Sequence, residues 1–452
     1  MSTSPESMSH AARCAVVQRW LQQSAAGRPL GLSKATSNLF RDRAASRKTR
    51  LDLQDFHHVI ALDEGQGWVD VEGCATYEEL VREILPLGWM PAVVPQLKTI
   101  TVGGAAAGVG IEATSFAQGL VHDTVLEIEV LLADGGIVLC RPDNEHRALY
   151  FGFPNSYGTL GYALRLRLRV RPVLPFVKVR HERFGSAAAF FDALVRHCDD
   201  AAKVDFIDGV VFGADSLVLN LGQFIVQAPS LSDYGGESIY YKSLLERDVD
   251  WMRTEDYLWR WDTDWFWCSR RFCAQRLWVR RLLGRKRLNS RTYARLMRLN
   301  SRWGLTRGWA RLRGWHPESV IQDVDIPVAR AEPFLDFLLR EVGILPIWIC
   351  PVREPAGSGP FDLYPLSPVL HVNFGFWDTV QSRVAHEAGH LNRRIEREVA
   401  RLGGIKSLYS DSFYTRDEFA AAYGMDDYAA LKARYDPMGR LPGLYEKCVL
   451  RA

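Results

Sequence analysis

The spacing of hydrophobic and polar positions changes along the chain, and each change marks an element. Residues 51–53 and 59–62 read as short strands, and 67–72 alternates as a third. Thr76 stands at the N-cap position of a helix over 77–85 that Gly88 closes. Residues 125–132 form a strand, Ala-Asp-Gly-Gly at 133–136 a hairpin turn, and 137–140 the return strand. Over 162–170 Leu164, Leu166, Leu168 and Val170 alternate with Arg165, Arg167 and Arg169, so one face is expected to be buried and the other wet. The same period over 370–376 puts His371 and Asn373 on one face, and over 408–413 it pairs Tyr409 with Asp411. A helical stripe runs through Val384, Ala388, Leu391, Ile395, Val399 and Leu402, and predicts a helix over 382–402.

One stretch has no period because it has almost no side chains. Residues 101–112 read Thr-Val-Gly-Gly-Ala-Ala-Ala-Gly-Val-Gly-Ile-Glu. Such a run packs no core, but it brings backbone close to a flat or phosphorylated ligand. Its G-G-x-x-x-G-x-G spacing is not G-x-G-x-x-G, and a strand–turn–strand follows it, which disfavours a nicotinamide-type fold of two βαβ units. Residues 31–41 form a polar loop whose Lys34 and Arg41 suit a phosphate or a flavin edge.

A chain of 452 residues has room for two or three domains, and 47% apolar with 24% charged residues is a soluble globular composition. The N-terminus lacks the apolar core of a signal peptide, and no run of apolar residues is long enough to span a bilayer. Eight scattered cysteines without C-x-x-C point to reduced thiols in a cytoplasmic setting. Charge is uneven. Residues 251–316 hold sixteen Arg and one Lys against four acids, a net +13, so the remainder carries −10 within the total of +3.

The glycine run, the Gly119-Leu120…Asp123 step, the 133–136 hairpin and Gly158-Thr159-Leu160-Gly161 occur in an order that resembles the FAD domain of the vanillyl-alcohol-oxidase and p-cresol-methylhydroxylase superfamily. Within it the chain is most similar to the delta-24 sterol reductases and to bacterial reductases of methylene-branched fatty acyl groups; Leu-Pro-Ile-Trp-Ile-Cys-Pro at 345–351 and Leu-Tyr-Ser-Asp-Ser-Phe-Tyr at 408–414 extend the match. The resemblance implies an α+β fold: a two-subdomain FAD-binding domain over 1–175, a cap with a mixed sheet and a helical insert over 176–403, and a tail over 404–452 that returns to the flavin. It implies FAD contacts from Thr101, Val102, Gly103, Gly104, Gly108, Gly110, Ile111 and Ser115, closed on the other side by Ser33, Lys34, Thr36, Ser37 and Asn38. Gly158, Thr159, Gly161 and Ala163 would follow the adenosine half. No His stands in 33–40, so the flavin is expected to be held non-covalently.

The implied reaction is hydride transfer from flavin N5 to a lipid C=C, with a proton from an acid. Tyr409 or His371 is the expected donor, with Glu112, Asn373 and Asp411 as orienting groups. Electrons would come from NADPH or a partner reductase. Oxidation of a lipid in the reverse direction stays open. Nine Trp interleave the sixteen Arg of 251–316, the composition of a face on an anionic membrane, so the protein is expected to be cytoplasmic and peripherally membrane-bound. The alternatives are a cap core with a solvated Arg face, or a nucleic-acid surface. His386-Glu387-Ala388-Gly389-His390 matches the H-E-x-x-H of zinc peptidases, but both His fall opposite the apolar stripe, so solvated helix histidines are expected and no metal is assigned.

Overall fold

The computed structural model describes residues 8–24, 28–34, 40–41, 48–200, 203–303 and 313–451. A parallel pair, β1 (Leu30–Ser33) and β2 (Thr49–Asp52), leads into a first sheet. That sheet comprises β3 (Val59–Asp63), β4 (Trp68–Glu72), β5 (Trp89–Pro91), β6 (Val125–Leu131), β7 (Ile137–Cys140) and β8 (Tyr162–Pro172). Its order is β3-β4-β8-β6-β7, with β5 on the far end of β8. The helix Tyr77–Ile84 opens on a capping box between Thr76 and Glu79 and ends at Gly88 in the left-handed region, as the sequence implies.

Strand β8 corrects one expectation. Leu164, Leu166 and Leu168 are buried, but the arginine face is only partly wet. The register sets Arg167 opposite Asp70 on β4 and Glu127 on β6, and the pairs close at 2.8 Å for Arg167–Asp70 and 2.8 Å for Arg165–Glu127. Opposite charges at cross-strand positions replace part of the solvent on that face.

The second sheet holds β9 (Phe176–Phe184), β10 (Phe206–Gly213), β11 (Ser216–Ile225), β12 (Val249–Arg253), β13 (His316–Pro327), β14 (Ile347–Val352), β15 (His371–Ser382) and β16 (Ile405–Lys406). Its order is β12-β9-β11-β10-β14-β15-β13-β16, and every pairing is antiparallel, a narrower pattern than the expected mixed sheet. Alternate residues divide its faces. Val320, Val324, Phe374 and Phe376 pack under the helices Ala187–Asp199, Ala331–Phe337 and His390–Arg401. Val177, Val179, Trp348 and Cys350 join the core shared with the first sheet.

The 251–316 insert runs between β12 and β13, and most of its described tryptophans belong to the core rather than to a surface. Trp259, Trp261, Trp265 and Trp267 are buried. So are Arg260, on Asp208 at 2.7 Å, and Arg280, on Asp264 at 2.6 Å. Tail helices Arg416–Ala422, Met425–Tyr435 and Leu444–Cys448 return to the first sheet, where Lys432 Nζ donates to Thr159 O at 2.8 Å and Arg440 Nη1 to Ala133 O at 2.6 Å.

Candidate active site

A cavity of about 870 Å³ opens between the glycine run, the second sheet and the tail. That volume is at the upper end of the roughly 300–1,000 Å³ usual for ligand sites. Gly103, Gly104, Gly108, Gly110 and Ile111 form one wall with Thr101, and Ser33, Lys34, Gly158, Gly161 and Ala163 adjoin it. Thr36, Ser37 and Asn38 lie outside the described residues.

The glycine run is not an open loop. Thr101 caps a single helical turn, Val102–Ala106, by accepting from Gly104 N, and itself accepts from Lys34 Nζ at 2.9 Å. The N–H groups of Gly103, Ala105, Ala107 and Gly108 donate to Gly73, Thr101, Gly103 and Gly104 carbonyls. These amides are therefore spent within the chain. The same wall carries the cations Lys34, Arg41, Lys48, Arg50 and Lys447, side chains of the kind that meet an anion. The glycines serve close packing: a Cβ on Gly103 would stand 2.8 Å from Gly73 O, and one on Gly110 2.6 Å from Val121 Cγ2.

The other wall is aromatic. Trp265, Phe266, Trp348, Trp377, Phe40 and Tyr409 come from five separate segments. Phe266 lies 4.4 Å from the Trp377 ring centroid, and Phe40 lies 5.5 Å from Trp265 and 5.9 Å from Tyr409. Trp265 and Phe266 hold positive φ, 45° and 58°, a costly backbone for bulky residues and one that gathers at functional sites.

One acid faces this wall. Asp323 of β13 stands opposite Gly375 of β15, where a Cβ would come within 2.6 Å of its Oδ1; the missing side chain leaves the carboxyl room. Burial pushes Asp323 up to about 7, a hydrogen bond from Tyr409 pulls it down, and Asp325 adds to the rise. The Tyr409 hydroxyl accepts from Trp377 Nε1 at 2.8 Å, and burial next to Asp323 holds its own proton far above the usual phenol range.

Three buried polar groups on the wall have no hydrogen-bond partner among the described residues: Asp323 Oδ1, the Tyr157 hydroxyl and both amide atoms of Gln96. Orphaned polar atoms converging on one cavity call for a ligand rich in donors and acceptors. With five cations and a planar aromatic wall they fit FAD, whose pyrophosphate and flavin ring need both. Sequence reasoning missed Gln96, Tyr157, Asp323 and Trp377. The available signal for Asp323 was the strand 320–326, Val-Ile-Gln-Asp-Val-Asp-Ile, where two carboxylates share a face of an apolar run.

Several expected site residues are elsewhere. Val102 is buried in the core beneath the turn. Ser115 Oγ accepts from Glu112 N at 3.1 Å, and Thr159 Oγ1 donates to Ser156 O at 2.8 Å, both fully buried and off the cavity wall. His371 and Asn373 occupy the same strand face as Trp377, but deeper. His371 contacts Val369 O and Ser367, and burial lowers its pKa; Asn373 donates to Asp325 at 2.9 Å. Asp411 lies near Arg451, and its carbonyl accepts from Lys406 Nζ at 2.6 Å. Glu112 sits one layer behind the wall: Arg260 bridges it at 3.2 Å to Asp208, which also accepts from Trp348 Nε1. Burial drives Glu112 up to about 7, opposed by Arg260.

The H-E-x-x-H segment does not make the helix its spacing requires. The helix begins at His390, after Gly389 at φ 77°, so His386 precedes it and stacks on His390 at 4.3 Å. Among the described residues, the group whose ligand atoms could share a metal ion is His10, Cys14 and Glu129. There His10 bridges Glu72 at 2.7 Å and Glu129 at 2.9 Å, which makes an ion-paired staple between the first helix and the first sheet.

A sequence family described as an FAD binding domain matches residues 12–141. The Delta(24)-sterol reductase of Macaca fascicularis is 25% identical over 451 residues, 95% of this chain and 84% of the relative. That of Arabidopsis thaliana is 24% identical over 444 residues, 90% and 77% of the two chains. Cytokinin dehydrogenase 8 of Oryza sativa subsp. indica is 28% identical over 212 residues, 43% of this chain and 38% of the relative.

Proposed function

For a chain that is an FAD-dependent oxidoreductase of carbon–carbon bonds and resembles the delta(24)-sterol reductases, we propose reduction of a C=C in a lipid chain. A methylene-branched fatty acyl phospholipid is the first substrate class and a sterol-like side chain the second. The sterol option is supported by the names of the relatives, and the acyl option by the resemblance of the sequence to bacterial reductases of methylene-branched fatty acyl groups.

Bound FAD supplies the hydride, with electrons delivered by NADPH or a partner reductase. Lys34, Arg41, Lys48, Arg50 and Lys447 hold the cofactor's anionic part, and Gln96 and Tyr157 offer it their unpaired polar atoms. Asp323 gives the second hydrogen as a proton from its carboxyl group and is reprotonated from solvent. Tyr409, fixed by Trp377, positions that carboxyl and tunes its acidity. The rings of Trp265, Phe266, Trp348 and Trp377 exclude water and receive the hydrocarbon.

The observation that carries this reading is Asp323, a protonatable and incompletely satisfied carboxyl at the aromatic end of the cavity. The test is anaerobic. The purified flavoprotein is bleached with NADPH, then mixed with a methylene-branched phospholipid in deuterated water. Reoxidation with solvent deuterium in the saturated product supports the proposal. A protein that reoxidises only with oxygen, or that bleaches on addition of the saturated lipid, defeats it.

A further inference from the structure

The helix Leu277–Leu283 in the basic insert is apolar on both sides. Its inward arc carries Val279 and Leu283 against the core and Arg280, 2% exposed, with the guanidinium on Asp264 and on the carbonyls of Gly236 and Ser238. Its outward arc carries Leu277, Trp278 and Leu282, which are 45%, 63% and 74% exposed. A helix on a water-facing surface keeps its outward arc polar. Exposed apolar side chains gathered on one short helix mark a surface that meets something else.

Its flanks say what. Arg276 precedes the helix, and the turn Arg285–Arg287 follows it after Gly284 breaks the backbone at φ 65°. Arg281 and Arg285 are paired with Glu237 and Asp233. Arg276, Lys286 and Arg287 are exposed and make no ion pair among the described residues. We infer that this helix and turn dock on an anionic lipid bilayer. Trp278, Leu277 and Leu282 enter the boundary between headgroups and acyl chains, while Arg276, Lys286 and Arg287 meet lipid phosphates. A second copy of the chain fits poorly, because a twofold contact would set these cations against themselves. A nucleic acid would satisfy the cations and leave Leu277 and Leu282 in water. The docking deepens the lipid-reductase reading, and rests on it only in that the bilayer would deliver the substrate.

The full-length protein is sedimented with vesicles of phosphatidylcholine alone and of phosphatidylcholine with phosphatidylglycerol. Binding is expected to the mixed vesicles only, and to weaken as salt is raised. Trp278→Ser with Leu282→Ser lowers the partition coefficient about tenfold or more. Lys286→Glu with Arg287→Glu lowers it on the order of a hundredfold. Both variants keep their turnover of a lipid dispersed in detergent. The inference is overturned by variants that bind like the wild type, by equal binding to neutral vesicles, by no binding at all, or by a wild-type dimer that the substitutions split. Vesicle-bound protein that reduces no lipid in either form sinks the reductase reading and leaves the docking intact.

Discussion

Gly103, Gly104, Gly108 and Gly110 on one side of the cavity, and Trp265, Phe266, Trp348, Trp377 and Tyr409 on the other, enclose the same space by opposite means. The glycine side is one continuous stretch that wins closeness by omitting side chains. The aromatic side is assembled from the insert, β14, β15 and the tail, and wins shape by filling space. A surface that only has to let a cofactor approach can be local in sequence. A surface that has to position a proton donor beside a hydrocarbon needs groups from strands that meet only in the folded chain.

The contrast breaks most completely at Gly103. Gly103→Val puts side-chain carbon where Gly73 O already leaves 2.8 Å, and overpacking of about 1–3 kcal/mol or more falls on the turn that carries the wall. The purified variant is expected to lose at least about tenfold of its visible flavin absorbance per protein. On the other wall, Asp323→Asn keeps the yellow colour and loses about 10²- to 10⁴-fold in lipid turnover. Stopped-flow measurement should find bleaching by NADPH unchanged and reoxidation by lipid slow. A variant that bleaches slowly instead would move Asp323 to the cofactor-reducing half of the cycle.

Smaller effects sharpen the picture. Asp323 donates while protonated, so wild-type turnover falls as pH rises through about 7. Tyr409→Phe removes the hydrogen bond that lowers this value, so the descending limb moves to higher pH, with a loss of about tenfold at neutral pH. An unmoved limb would separate Tyr409 from Asp323. The least change in rate is expected at His371→Ala, since that ring lies off the cavity and contacts Val369 and Ser367. Its cost is about 1–2 kcal/mol of stability in a denaturant titration, with turnover within about twofold of wild type.

What could be read from the sequence follows the same division. The Thr76 N-cap and the 133–136 hairpin depend on residues within a few positions of one another, and both form where expected, whereas the glycine run folds into a helical turn instead of an open loop. His371 and Asn373 were assigned the correct strand face, yet period two says nothing of depth. The cavity reaches Trp377 on that face, while Asn373 serves Asp325 behind it. For Asp323 the sequence shows only two carboxylates in an apolar run, and which of them faces the cavity depends on Gly375 across the strand pair. In the insert, charge and tryptophan count alone could not separate Trp261, in the core, from Trp278, in solvent, or Arg280, buried, from Arg287. The H-E-x-x-H spacing failed for a local reason, because Gly389 delays the helix to His390.

Pro442 and Lys447 complete the cavity, and Leu30 N is held by Arg440 O across the first sheet. During synthesis the glycine turn is therefore finished long before its last wall leaves the ribosome. A chain cut short ahead of residue 440 is expected to lose that wall and the Leu30 bond together, and to hold flavin poorly.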